Sequence, residues 1–211
     1  MSGHAGKIGT LQVITGPTKS GKTEYLIGQV KYSRIRKHDV VILCPAIGVK
    51  DRVTHSGRRV DAPVVLLRPG AETIPGVIAA ISDLGNSGAA ALETAMDVFA
   101  DDAHLFSNLF PRLCELLILE GKRVMAAGVN LTFAGQGFGS MPELLAQADE
   151  MSLFKAVCYK CGDQHATRSI RLRDGKPVSL RETAVYMPDE HTTHEPICLD
   201  CLVAAYGKLS L

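Results

Sequence analysis

Tryptophan is absent from this 211-residue sequence, and phenylalanine and tyrosine bring the aromatic content to only 5%. That leaves few platforms on which the bases of a single-stranded nucleic acid could stack. Charge of one sign is not in excess either. Lys and Arg number 23 against 22 Asp and Glu, a net charge of +1, so stable binding to nucleic acid or to an anionic membrane is not expected. No uninterrupted apolar run approaches the ~18 residues of a membrane span. Residues Met1 to Ile8 are rich in Gly, Ser and His and lack the apolar stretch of a secretory signal, which makes the cytoplasm the expected compartment. There is no internal repeat and no low-complexity segment. With 46% hydrophobic and 21% charged residues, the composition is that of a globular protein with a sizeable core.

The most specific feature is Gly16-Pro17-Thr18-Lys19-Ser20-Gly21-Lys22-Thr23, a match to Gly-x-x-x-x-Gly-Lys-Thr. In such a loop the glycines let backbone N–H groups turn inward around phosphates. Lys22 brings a point charge to the β/γ oxygens, and the Thr23 hydroxyl can ligate Mg²⁺. Context supports it, because the apolar strand Leu11 to Thr15 runs into the loop and a helix over 23–32 follows, with Leu26, Ile27 and Val30 on one face. The loop predicts a protein that uses ATP.

Further strands are expected over 39–44, 62–67, 94–100 and 123–128. Helices are expected over 76–84, 107–120 and from Pro142 to Asp149, with a loop over 46–59. This alternation predicts an α/β domain over 1–150, with a parallel sheet covered on both faces. The strand ending at Ala100 leads into Asp101-Asp102. At that edge of a sheet one of the two carboxylates can hold Mg²⁺ and its neighbour can act as base for an attacking hydroxyl. The competing reading is an acidic helix N-terminus.

Beyond Val157 the character changes to short polar segments, with a hairpin turn expected at Asp174-Gly175. This second unit, 151–211, holds Cys158-x-x-Cys161 and Cys198-x-x-Cys201. Two such pairs can close a tetrahedral Zn²⁺ shell of the structural kind, and a redox dithiol is the rival. His165, His191 and His194 lie nearby but are not needed by a shell of four thiolates. Cys44 and Cys114 sit among apolar residues and are expected in the core.

Taken together, these segments resemble the zinc-containing type II thymidine kinases. The phosphate loop is similar to that family's Gly-Pro-Met-Phe-Ser-Gly-Lys-Thr, and Asp101 to Phe106 to its Asp-Glu-Ala-Gln-Phe-Phe. Gly128 to Phe138 is similar to its Gly-Leu-Asp-x-x-Phe-x-Gly-x-Pro-Phe. The run from Lys155 to Gly162, then Ala166 to Leu172, Asp174 to Val178 and Glu195 to Cys201, follows the family's order over nearly the whole chain. The resemblance implies an ATP-dependent nucleoside kinase acting on the 5′-hydroxyl of a deoxypyrimidine, with a C-terminal zinc-ribbon lasso and Phe133, Ser169 and His194 lining the nucleoside site. It also implies a homo-oligomer, commonly a tetramer. The alternative is a nucleotide-binding regulatory protein that has lost phosphoryl transfer. Departures cluster on the acceptor side. By resemblance Asp102 takes the place of the family's base, a Glu, while Asp101 holds Mg²⁺ with Thr23; His104 replaces a Gln, Thr18-Lys19 a Met-Phe pair, and His194 a Tyr. Gly48 stands where the family has an Asp, and Ala134 where it is often basic. The acceptor is expected to be thymidine or a related, modified pyrimidine, and the departures favour one other than thymidine, either a modified pyrimidine nucleoside or a nucleotide whose extra negative charge meets Lys19.

Overall fold

A computed structural model describes residues 8–46, 62–67, 92–183 and 191–207. The helix expected over 76–84 and nearly all of the loop expected over 46–59, Gly48 included, lie outside these residues. Six parallel strands form the main sheet. They are β1 (Thr10–Thr15), β2 (Val40–Pro45), β3 (Val64–Leu67), β4 (Asp97–Ala100), β5 (Arg123–Gly128) and β6 (Glu150–Leu153), in the order β3-β2-β4-β5-β1-β6. Strands β2 and β4 are buried at every position, as expected of parallel strands covered on both faces.

Alternate residues divide between those faces. Ile14, Ile42, Phe99 and Met125 pack with Leu26 and Val30 of α1 (Lys22–Ile35). Val13, Leu43, Val98 and Val124 face α2 (Phe110–Leu119) and α3 (Met141–Gln147), through Phe110, Leu113, Leu117 and Leu144. Cys44 and Cys114 are buried in these two layers, and burial raises both thiols above their usual range. The parallel α/β architecture is therefore the one read from the sequence.

Two segments differ from expectation. The strand expected from Thr94 begins at Asp97, because residues 92–94 are helical. The buried Lys122 ammonium donates to the carbonyls of Leu92, Glu93 and Ala95, closing that turn. Strand β6 was not anticipated, since Glu-Met-Ser-Leu shows no clear period. It pairs with β1 from Gln12↔Glu150 to Thr15↔Leu153, so the parallel sheet runs a little past residue 150. Asp149 fixes its entry by accepting the Leu11 N–H at 2.8 Å.

The remainder forms an antiparallel sheet of β7 (Arg168–Arg173), β8 (Lys176–Pro177) and β9 (Thr192–Ile197), followed by α4 (Leu199–Tyr206). Asp174 and Gly175 both take positive φ, 48° and 75°, the geometry of a type I′ turn between β7 and β8. Ile170, Leu172, Ile197 and Leu202 pack with Cys158 and Cys198 into a small core of its own.

Candidate functional site

Parallel strands place their C-terminal ends on one edge, and the loops leaving those ends build the site. The phosphate loop leaves β1 and the acidic pair leaves β4. Gly16 takes φ +146°, and a Cβ there would lie 2.4 Å from the Phe154 carbonyl oxygen, so only glycine fits. Gly21 stands before α1 at φ 85° and supplies no side-chain cap, which leaves the first N–H groups of α1 to a bound anion. Lys22 is buried and donates to the Pro17 carbonyl at 2.5 Å and to Ser20 Oγ at 3.1 Å. Burial lowers its pKa to about 8, against the pull of Asp102 and Asp101.

Thr23 Oγ1 donates to Asp101 Oδ1 at 3.0 Å. Asp101 is buried, and its Oδ2 has no hydrogen-bond partner among the described residues. Burial, then the neighbouring Asp102 charge, raises the Asp101 carboxyl to about 7. Burial likewise raises Asp102 to about 6, tempered by Lys22. A buried carboxylate oxygen with no partner beside a Thr hydroxyl is the donor set a hydrated Mg²⁺ takes. Asp102 stands at the N-terminus of a 3₁₀ turn (Ala103–Leu105) at φ 50° and makes no side-chain capping bond to it.

Asp102 opens onto a cavity of about 350 Å³ that also receives Phe133, Ser169 and His194. Thr18 and Lys19 form its rim toward the phosphate loop. The residues proposed to hold a nucleoside thus converge beside the residues proposed to hold phosphate. Ser169 Oγ accepts the Thr18 N–H at 3.0 Å. His104 lines the wall with its ring edge-on to Phe138, centroids 4.6 Å apart, and its Nδ1 accepts the Val129 N–H. Gly139 lies so close behind that a Cβ would sit 2.0 Å from the His104 carbonyl oxygen.

Sequence reading missed Arg171. Its guanidinium lies 4.1 Å over the Phe133 ring, and its Nε donates to His194 Nε2 at 3.0 Å. Arg171 and His194 are direct cross-strand partners in β7 and β9. Burial, then the Arg171 charge, lowers His194 to about 4, so the ring is neutral. Its alternation with Ile170 and Leu172 was a signal that one face of β7 meets something polar.

The four cysteine sulfurs of Cys158, Cys161, Cys198 and Cys201 lie within 4.8 Å of one another. Cys161 Sγ and Cys198 Sγ are 3.7 Å apart, close to the ~3.8 Å edge of a tetrahedron built on 2.3 Å zinc–sulfur bonds. The cluster fits Zn²⁺. His191 instead bonds Asp174 Oδ1 at 3.0 Å.

The family model described as thymidine kinase matches residues 9–202. A thymidine kinase of Bacteroides thetaiotaomicron is 32% identical over 95% of this chain and 90% of its own length. One from Halobacterium salinarum is 33% identical over 92% of this chain and 94% of its own. One from Deinococcus radiodurans is 37% identical over 84% of this chain and 82% of its own.

Proposed function

This chain belongs to the thymidine kinase family and is a nucleoside kinase, and we propose that it transfers the γ-phosphoryl group of ATP to the 5′-hydroxyl of a deoxypyrimidine nucleoside. The observation that carries this reading is the single cavity that joins Asp102, Phe133, Ser169 and His194 to the rim of the phosphate loop.

In this reading the loop from Gly16 through Thr23 cradles the phosphates with its N–H groups. Lys22 exchanges its bonds to Pro17 and Ser20 for the β/γ oxygens. Thr23 and Asp101 would hold Mg²⁺, which when bound neutralises charge on the transferring phosphoryl group. Asp102 accepts the proton of the 5′-hydroxyl as its oxygen forms a bond to the γ phosphorus. The bond from that phosphorus to the β–γ bridging oxygen breaks, and ADP leaves with the electron pair. Phe133 offers its face to the base, Arg171 backs that ring, and Ser169 and His194 border the pocket. Catalysis comes from positioning and charge stabilisation. Zn²⁺ on the four cysteines supplies structure alone, since a full thiolate shell leaves no position for water.

The departures on the acceptor side favour a pyrimidine with a polar substituent. Thr18, Lys19 and His194 stand in the cavity wall where the resembled family has Met, Phe and Tyr. Lys19 is neutralised by Glu195 at 2.5 Å, so a nucleoside suits the site better than a nucleotide.

Two units, an α/β domain and a metal-stapled module, and a cytoplasmic homotetramer complete the proposal. Light scattering tests the last. No helix among the described residues is long and apolar enough to cross a membrane.

The test is a screen of nucleosides and nucleotides with ATP and Mg²⁺, read by mass spectrometry. A phosphorylated deoxypyrimidine is expected. ATP turnover with no phosphorylated acceptor from a full panel would overturn the proposal. If thymidine were much the best acceptor by kcat/KM, the polar-substituent reading would fail alone.

A further inference from the structure

The phosphate loop touches the antiparallel sheet through its two middle residues. The Thr18 N–H donates to Ser169 Oγ at 3.0 Å, and Lys19 Nζ pairs with Glu195 Oε1 at 2.5 Å. These partners stand on neighbouring rungs of the β7–β9 ladder, where Ser169 faces Pro196 and Ile170 faces Glu195. Both contacts span more than 150 positions in the chain. Lys19 reaches across by taking φ 56°, a left-handed conformation that a residue with a Cβ holds only when its surroundings demand it. Nothing in the phosphate-binding chemistry asks for a cation at this place, because Lys22 already supplies one. The same two strands carry Ser169 and His194 into the acceptor cavity, whose rim Lys19 and Glu195 share.

The loop that holds the donor is therefore docked on the wall that holds the acceptor. Ordering either side restricts the other, and the conformational entropy lost when the first ligand binds is not lost again with the second. Thermodynamic linkage then requires that each ligand tighten the other by one and the same factor.

We propose that Lys19 and Glu195 are positioning residues that couple nucleotide binding in the phosphate loop to nucleoside binding in the cavity. The inference rests on the nucleoside kinase reading of that cavity. Lys19 is 60% exposed and Glu195 21%, so the coupling is modest, about two- to fivefold, the range of a partly exposed ion pair.

The experiment measures the Kd of a non-hydrolysable ATP analogue with Mg²⁺, with and without saturating acceptor nucleoside, and the nucleoside Kd with and without the analogue. In the wild-type chain both should fall by the same factor. Lys19→Met and Glu195→Gln should each abolish the coupling, and the double variant should lose no more than either single one. Lys19→Arg, which keeps the charge, should retain it. Unchanged coupling in the single variants, or none in the wild type, would overturn the proposal. Should no nucleoside bind, the kinase reading itself has failed, and amide exchange decides the coupling. The analogue alone should slow exchange over Thr192–Ile197 in the wild-type chain and leave Lys19→Met unaffected, and equal exchange in both would overturn it.

Discussion

Thr23 and Asp101, from α1 and from the end of β4, meet in a 3.0 Å hydrogen bond that leaves Asp101 Oδ2 buried and, among the described residues, without a partner. An unsatisfied buried oxygen costs free energy. In the proposed reaction a phosphate-bound cation, beside the Thr23 hydroxyl and Lys22, would satisfy it. Asp102, next in sequence, is turned by its positive φ away from this pair and toward the acceptor cavity. In the proposed reaction two neighbouring carboxylates would therefore serve two different partners.

Asp102→Asn keeps the shape of the side chain and removes the proton acceptor. We expect kcat to fall roughly 10²- to 10⁴-fold while nucleotide affinity changes little. Asp102→Glu, which restores the resembled family's length, should keep a large part of the rate. Equal kcat in Asp102→Asn and the wild-type chain would remove Asp102 from the chemistry.

The linear parts of this site were legible because their chemistry is local. A phosphate loop needs its glycines and lysine within eight positions, and a zinc shell announces itself by paired cysteines. Phe133, Ser169 and His194 were found through family resemblance, and the cavity gathers all three. What escaped is the chemistry made by distant partners. Arg171 reads as an ordinary strand cation until Phe133 appears beneath it. Glu195 and Lys19 meet across most of the chain. Strand β9, Thr-Thr-His-Glu-Pro-Ile, has too many polar residues to announce a strand, and it is held by its ladder to β7 and by Ile197 in the metal-side core.

A second such network lies at the opposite end of the sheet and gives a pH prediction. Buried Asp97 accepts from Arg123 Nε and Nη2 at 2.9 and 2.8 Å, and His38 Nδ1 lies 3.0 Å away. Burial alone would raise this carboxyl, but the hydrogen bonds of Arg123, Ser33 and His38 outweigh it and hold Asp97 below its usual 3.8. A carboxyl depressed by folding contributes stability above its unfolded pKa, and that stability is lost as pH falls through the folded value. Asp97→Asn should therefore destabilise the protein by about 3 kcal/mol at pH 7. In urea melts the gap between variant and wild type should shrink toward pH 3. A gap that widened in acid would contradict the assignment.

Gly16 and Gly28 give a paired test of the phosphate loop. A Cβ on Gly16 meets the Phe154 carbonyl at 2.4 Å, whereas one on Gly28, within α1, meets nothing within 4 Å. Gly16→Ala should strain the loop by ~1–3 kcal/mol and weaken ATP binding about 5- to 150-fold. Gly28→Ala should raise stability by ~1 kcal/mol and leave ATP binding alone. Calorimetric titration and thermal melts read both effects, and similar ATP affinity in the two variants would show that the Gly16 geometry is not needed.

Cys198 carries two duties, since its Sγ sits in the four-sulfur cluster and also accepts the Cys201 N–H at the start of α4. Serine keeps an oxygen that can cap the helix but binds zinc poorly, so Cys198→Ser separates the two. We expect zinc content to fall from one ion per chain. Amide exchange over Arg168–Arg173 and Thr192–Ile197 should quicken, because the small core of Ile170, Leu172, Ile197 and Leu202 depends on that staple. The strand pair carries Ser169 and His194, so KM for the nucleoside should rise more than KM for ATP, whose loop is held by β1 and α1 at its two ends and meets this pair only through Thr18 and Lys19. Removing the metal from the wild-type chain with a chelator should reproduce the pattern, and re-addition of Zn²⁺ should reverse it. If Cys198→Ser raised both KM values equally, the cluster would be supporting the whole chain and not the acceptor wall.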